Sequence, residues 1–172
     1  MRPYMYTVSV PVFIRALGNL KTVLQKGEAH AIAAGIGTET ILTAQLAPDM
    51  YNLTRQVQIA TDNAKGISAR LAGLEPPVMV DTETTFADLY TRIDNTIVFL
   101  QSLDPQAFVG SETRRVAFPY AEGKHLLGEA SLLQLSLPNF FFHAVTAYAI
   151  LRNQEVVIGK QDFIGALDLK DN

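Results

Sequence analysis

The chain has 172 residues, 48% of them apolar and 18% charged, which fits one globular domain with a sizeable core. A net charge of −3 and the lack of any basic run argue against a nucleic-acid groove, and the Arg114-Arg115 pair reads as solvated. Without cysteine, the chain can form no disulfide, zinc–thiolate site, cysteine nucleophile or cysteine-held iron–sulfur cluster.

From Thr7 to Lys26, Val10, Phe13, Ile14, Leu17, Leu20 and Leu24 recur at helical steps, with Pro11 tolerated near the start. Gly27 predicts an interruption, with EAHAIAAG adding a short turn before a loop at Gly35 and Gly37. GTETILTAQLAPDM holds a further short helix and a proline-marked turn. From Met50 to Gly73, Leu53, Val57, Ala60, Ala64, Ile67 and Leu71 form a seven-residue repeat, the seam of bundle packing. Gly73 and Pro76-Pro77 stop it.

A third helix spans Thr85 to Leu103, with Phe86, Leu89, Tyr90, Ile93, Ile97 and Leu100 as its stripe. Thr85 and Asp88 make a capping pair, and Asp104-Pro105 ends the helix. Periodicity fades from Ser111 to Leu127, where RRVAFPYAEGKHLL reads as a loop or weak hairpin turning at Glu122-Gly123. The fourth helix covers Ser131 to Arg152. Pro138 either sits in its first turn after a Ser136 cap or kinks a longer helix, and Asn153 stops it. Val157, Ile158, Phe163 and Ile164 anchor a docked tail whose last five residues fray.

Four long amphipathic segments with loops longer than a minimal bundle requires predict an all-α four-helix bundle. It has crossover loops and occupies residues 1–172 as a single domain. The longest apolar run, around Phe140 to Leu151, is broken by His143 and Thr146 and is too short to span a membrane. The opening MRPYMYTVSVPVF lacks a signal-peptide core, so the expectation is a soluble cytoplasmic protein without a membrane partner.

The polar residues of LPNFFFHAVTAYAILR carry the functional question. If Arg152 marks solvent, His143, nine residues earlier, points about half a turn away, and Asn139 lies roughly 40° from it. The pair is therefore expected to face the interior, either as a satisfied buried histidine or as a ligand-facing imidazole. On the second helix, Asn52, Gln56 and Asn63 fall roughly 60–100° to one side of the seam, while Gln58 and Arg55 lie nearer solvent. His30 and His125 have no histidine four residues away, and His125 is expected on the surface. GIGTE lacks the strand a dinucleotide fingerprint needs, and Gly159-Lys160 lacks the rest of a phosphate loop. Asp81, Glu83, Asp168 and Asp171 read as solvated loop and tail charges.

Three stretches together carry a resemblance: LAPDMYNLTRQVQIATDNAKGISARLAGLEPP, TFADLYTRIDNTIVFL, and LPNFFFHAVTAYAILR followed by GKQDFIG. They resemble a bacterial domain-of-unknown-function family related to the DinB/YfiT-like four-helix bundles, over Val8 to Gly165. The wider group often holds a metal on three histidines, one from the second helix and an H-x-x-x-H pair on the last. Matching His143 to that pair leaves Asn139 or Ala147 at the other position, and the second helix offers Gln56 or Gln58. The resemblance therefore implies the fold and the place of a pocket around His143, Asn139, Gln56 and Gln58, with a degenerate metal site. The expected function is a small-molecule-binding or structural module, working as a homodimer. The alternative is a hydrolase- or transferase-type enzyme that uses a divalent metal (nickel or zinc) or His143 as a general base.

Overall fold

The computed structural model describes residues 2–118 and 122–170. The four apolar stripes become helices α1 (Val10–Ala34), α2 (Leu53–Leu71), α3 (Phe86–Ser102) and α4 (Leu137–Asn153). Asn52 caps α2 by accepting from the Arg55 backbone N–H at 2.9 Å, and Thr85 and Asp88 form both bonds of a capping box on α3.

Helix α1 does not break at Gly27. The glycine is buried where α4 crosses, and a Cβ there would stand 2.6 Å from Leu151 Cδ2. Close packing, and not chain termination, explains the residue; the stop comes at Gly35.

Helix α1 packs against α3 and α4, and α2 packs against the same two, most extensively against α4. The pairs α1/α2 and α3/α4 are thus diagonal, and the connections 35–52 and 103–136 cross the bundle ends. The first includes a short helix, Thr38–Leu42. The second includes strands β1 (Arg115–Ala117) and β2 (His125–Leu127), antiparallel with Val116 opposite Leu126. Pro119 to Ala121 of the expected turn, like Asp171 of the tail, lie outside the described residues. Arg114 is not a solvated charge: it reaches back to the Leu71 carbonyl at the end of α2, whereas Arg115 is exposed.

Ser136 does not cap α4. Its backbone is helical and its side chain makes no capping bond. The helical path begins earlier, at Gly128–Ala130, and passes through a π-helical segment, Ser131–Ser136. The wider π turn lies immediately before Pro138, whose ring crowds the preceding turn and whose missing N–H leaves a carbonyl unpaired.

Val156 and Ile158 bury in the core, and Val157, expected as an anchor, is 85% exposed. Glu155, with φ 65°, turns the chain at the end of α4 and sets this alternation. The tail then forms a short helix, Lys160–Ile164, fixed to α1. Asn19 donates to Phe163 O and Ile164 O, Arg15 to Ala166 O, and Lys26 pairs with Asp162 at 2.6 Å.

Candidate functional site

The α2–α4 seam positions the histidine. His143 is 7% exposed, and its Nδ1 lies 2.6 Å from Gln56 Oε1. The Gln56 amide is oriented by its other end, because Nε2 donates to Tyr51 O at 2.9 Å. Gln56 therefore presents a carbonyl oxygen to the ring, so Nδ1 carries the proton and donates. Nε2 is left with its lone pair. It has no hydrogen-bond partner among the described residues. Burial pushes the imidazole pKa below its ordinary value, and the Arg55 charge pushes in the same direction. The Phe142 ring stands edge-on to the imidazole, 5.1 Å away. At neutral pH the site holds a neutral, oriented imidazole with one free acceptor.

Asn139 does not share that bond. It lines a separate cavity of about 360 Å³ between α2 and α4, with Asp62, Asn63, Gly66, Arg70 and Ser136, and none of His143, Gln56 or Gln58 lines that cavity. Asn63 is part of that lining, but its Oδ1 is sealed from solvent, without a hydrogen-bond partner, and so does not face the cavity. Ser136 is 2% exposed, and neither its hydroxyl nor the Asn139 amide has a partner among the described residues. The π segment places Ser136 at this wall.

Gln58, expected nearer solvent, is buried. The extended segment 72–85 lies over α2, and Glu83 accepts from Gln58 Nε2 at 2.8 Å. Arg55 bridges Gln58 Oε1 and the Asp81 carboxylate. Asp81 and Glu83 are thus not free loop charges. Both meet Arg92 of α3, whose side chain is 1% exposed. Arg92 Nε donates to Thr61 Oγ1 at 2.7 Å, and Nη1 donates to Glu83 Oε1 at 2.9 Å. Nη2 faces Asp62 Oδ1 at 2.9 Å as an ionic contact without directed hydrogen-bond geometry. Lys65 holds the same Asp62 oxygen at 2.9 Å. Burial pushes the Glu83 pKa upward, but hydrogen bonds from Arg92 and Gln58 outweigh it and hold the group below its ordinary value. Three cations and three carboxylates therefore lock segment 72–85 onto α2 and α3. The sequence signal for this was Arg92 itself, a charge one residue from Ile93 on an otherwise apolar face.

The donors present do not fit the three-histidine metal pattern. Gln56 Oε1 already accepts from the His143 ring, Asn139 belongs to the neighbouring cavity, and Ala147 is fully buried in the apolar core. Among the described residues, no three histidine, aspartate or glutamate side chains cluster as metal ligands. His30 is half-buried on α1 and His125 is exposed on β2. A larger cleft, about 700 Å³, is lined by Arg70, Arg114, Arg115, Lys124 and the hairpin, and includes neither Gln56, Gln58 nor His143. No helix of the described residues is long and apolar enough to cross a membrane.

Fold and groove define an all-α DinB-like bundle. The chain belongs to the family described as Domain of unknown function (DUF1993), whose model matches residues 5–164. Among solved structures it is similar to a DinB family member protein from Shewanella denitrificans. That protein is 37% identical, with 97% of this chain and 95% of that chain covered and a TM-score of 0.94. No curated protein matches it.

Proposed function

We propose that the protein is a small-molecule-binding bundle whose ligand sits in the α2–α4 cavity lined by Asn139, one helical turn from His143, and that the metal site of the wider DinB-like group has been lost from it. The observation that carries this reading is the polar cavity with incomplete hydrogen bonding. The Ser136 hydroxyl and the Asn139 amide line it with no partner among the described residues, and a polar group left unpaired when such a site is occluded costs on the order of 1–3 kcal/mol. A ligand with hydrogen-bond donors and acceptors pairs with Ser136 and Asn139. The test is a melting-temperature screen of small polar compounds against the protein and its Asn139→Leu variant. Stabilising compounds that lose their effect in the variant support the reading; an equal effect on both proteins, or no effect on either, contradicts it.

A second reading, a His143-dependent enzyme, is favoured by the unpartnered Nε2 lone pair on a neutral imidazole. It ranks lower because no nucleophile or carboxylate contacts that ring among the described residues. The homodimer belongs to the first reading, the binding module, and is supported by Phe142 and Val145, exposed together on one face of α4. Elution as a monomer at every concentration tested would contradict it.

A further inference from the structure

We propose that the α2–α4 cavity takes a small zwitterionic amino acid, with its carboxylate on Arg70 and its ammonium on Asp62. This rests on the reading above that the cavity is a ligand site, and it names the ligand class.

Arg70 has no carboxylate partner among the described residues, although it lines both this cavity and the neighbouring cleft. Its guanidinium is nevertheless held in place. It lies 6.0 Å from the centre of the Phe118 ring and folds back along α2 to Gly66, where a Cβ would stand 2.9 Å from Nη1. Helical side chains lean toward the N-terminus, which carries this charge about one turn, ~6 Å, below its own Cα. Gly66 supplies the space that the bend requires.

Asp62 lies a further turn along the same helix, about 6 Å from Gly66. Lys65 and Arg92 both hold its Oδ1, each at 2.9 Å, which fixes the carboxylate and leaves Oδ2 uncommitted. The cavity therefore presents one cation and one anion, about a helical turn apart, on one wall. Charge-assisted hydrogen bonds of about 2.8 Å at either end suit a ligand whose two charges are separated by one carbon. The 360 Å³ volume leaves room for a side chain against Ser136 and Asn139. A diacid would meet Asp62, and a diamine would meet Arg70, so the paired charges discriminate against both.

The test compares free L-amino acids with their methyl esters and N-acetyl derivatives, by melting temperature and by NMR titration at pH 7. The screen includes neutral amides. The expected result is binding by free amino acids, loss of binding in both blocked forms, and at least tenfold weaker binding in Arg70→Met and Arg70→Gln. Arg115→Met, in the neighbouring cleft, keeps full affinity. Circular dichroism checks that each variant is folded. If esters or neutral amides bind as well as the free acids, and Arg70→Met binds normally while Asn139→Leu does not, the amino-acid class is overturned and the cavity reading stands. If nothing binds the wild-type protein, both are overturned.

Discussion

Replacing Arg92 by methionine isolates the buried ionic lock. The guanidinium touches Thr61, Asp62, Asp81 and Glu83, but these partners are not equally exposed to its loss. The Thr61 hydroxyl keeps Val57 O and Gln58 O as acceptors. Asp62 keeps Lys65 and Asp81 keeps Arg55, and their side chains are 40% and 37% exposed, so each loses only ~0–1 kcal/mol. The Glu83 side chain is 9% exposed and would keep Gln58 as its one side-chain partner among the described residues. Stranding that carboxylate sets the magnitude, about 3–5 kcal/mol of unfolding free energy. Urea denaturation at pH 7 measures it. In a Glu83→Gln background the same substitution should cost about 2 kcal/mol less, because no buried charge is stranded. The folded-state pKa of Glu83 lies below its ordinary 4.5, so its contribution is complete above that value and is lost as pH falls through the folded pKa. Arg92→Met should shrink that acid-side loss. A cost below about 1 kcal/mol, or an equal cost in both backgrounds, would refute the reasoning.

The His143 pKa is lowered in the fold, so the unfolded chain takes the proton first. Its stability contribution is complete above the ordinary value of 6.5 and declines as pH falls from there through the folded pKa. The ring C–H resonances should titrate with a midpoint below 6.5, with the neutral form protonated on Nδ1; a higher midpoint or the Nε2–H tautomer would contradict this. Gly66→Ala should raise helix stability by about 0.5–1 kcal/mol while displacing Arg70 and weakening ligand binding, and unchanged binding would count against the role given to Arg70. Protein purified without an affinity tag should hold far less than one equivalent of nickel or zinc; stoichiometric metal that disappears in His143→Ala would restore the metal reading.

Periodicity carried the sequence reading wherever one helix face decides the structure. The seven-residue steps of α2 and the Thr85–Asp88 cap needed no knowledge of other segments. The inward direction of His143 was also legible, since helix geometry fixes it relative to Arg152. Its link to Gln56 joins residues 87 apart in sequence and depends on how α2 meets α4, which no single-helix pattern encodes. Gln58, Asp81 and Glu83 were misread for the same reason: segment 72–85 has no periodicity to announce that it folds over α2. Gly27 was misread because a glycine for close packing and a glycine for stopping a helix look alike until Leu151 is placed above it. The π segment before Pro138, which brings Ser136 to the cavity, has no separate signature in the sequence.

The central claim is that the α2–α4 cavity lined by Asn139 binds a small molecule. Its most direct measurement follows the side-chain amide NMR signals of Asn63 and Asn139, and the His143 ring, while small polar ligands are titrated. The account predicts saturable shifts at Asn63 and Asn139, a smaller response at His143, and little change at Arg115 and Lys124. Shifts confined to the hairpin cleft, or none at any concentration that leaves the protein folded, would contradict it.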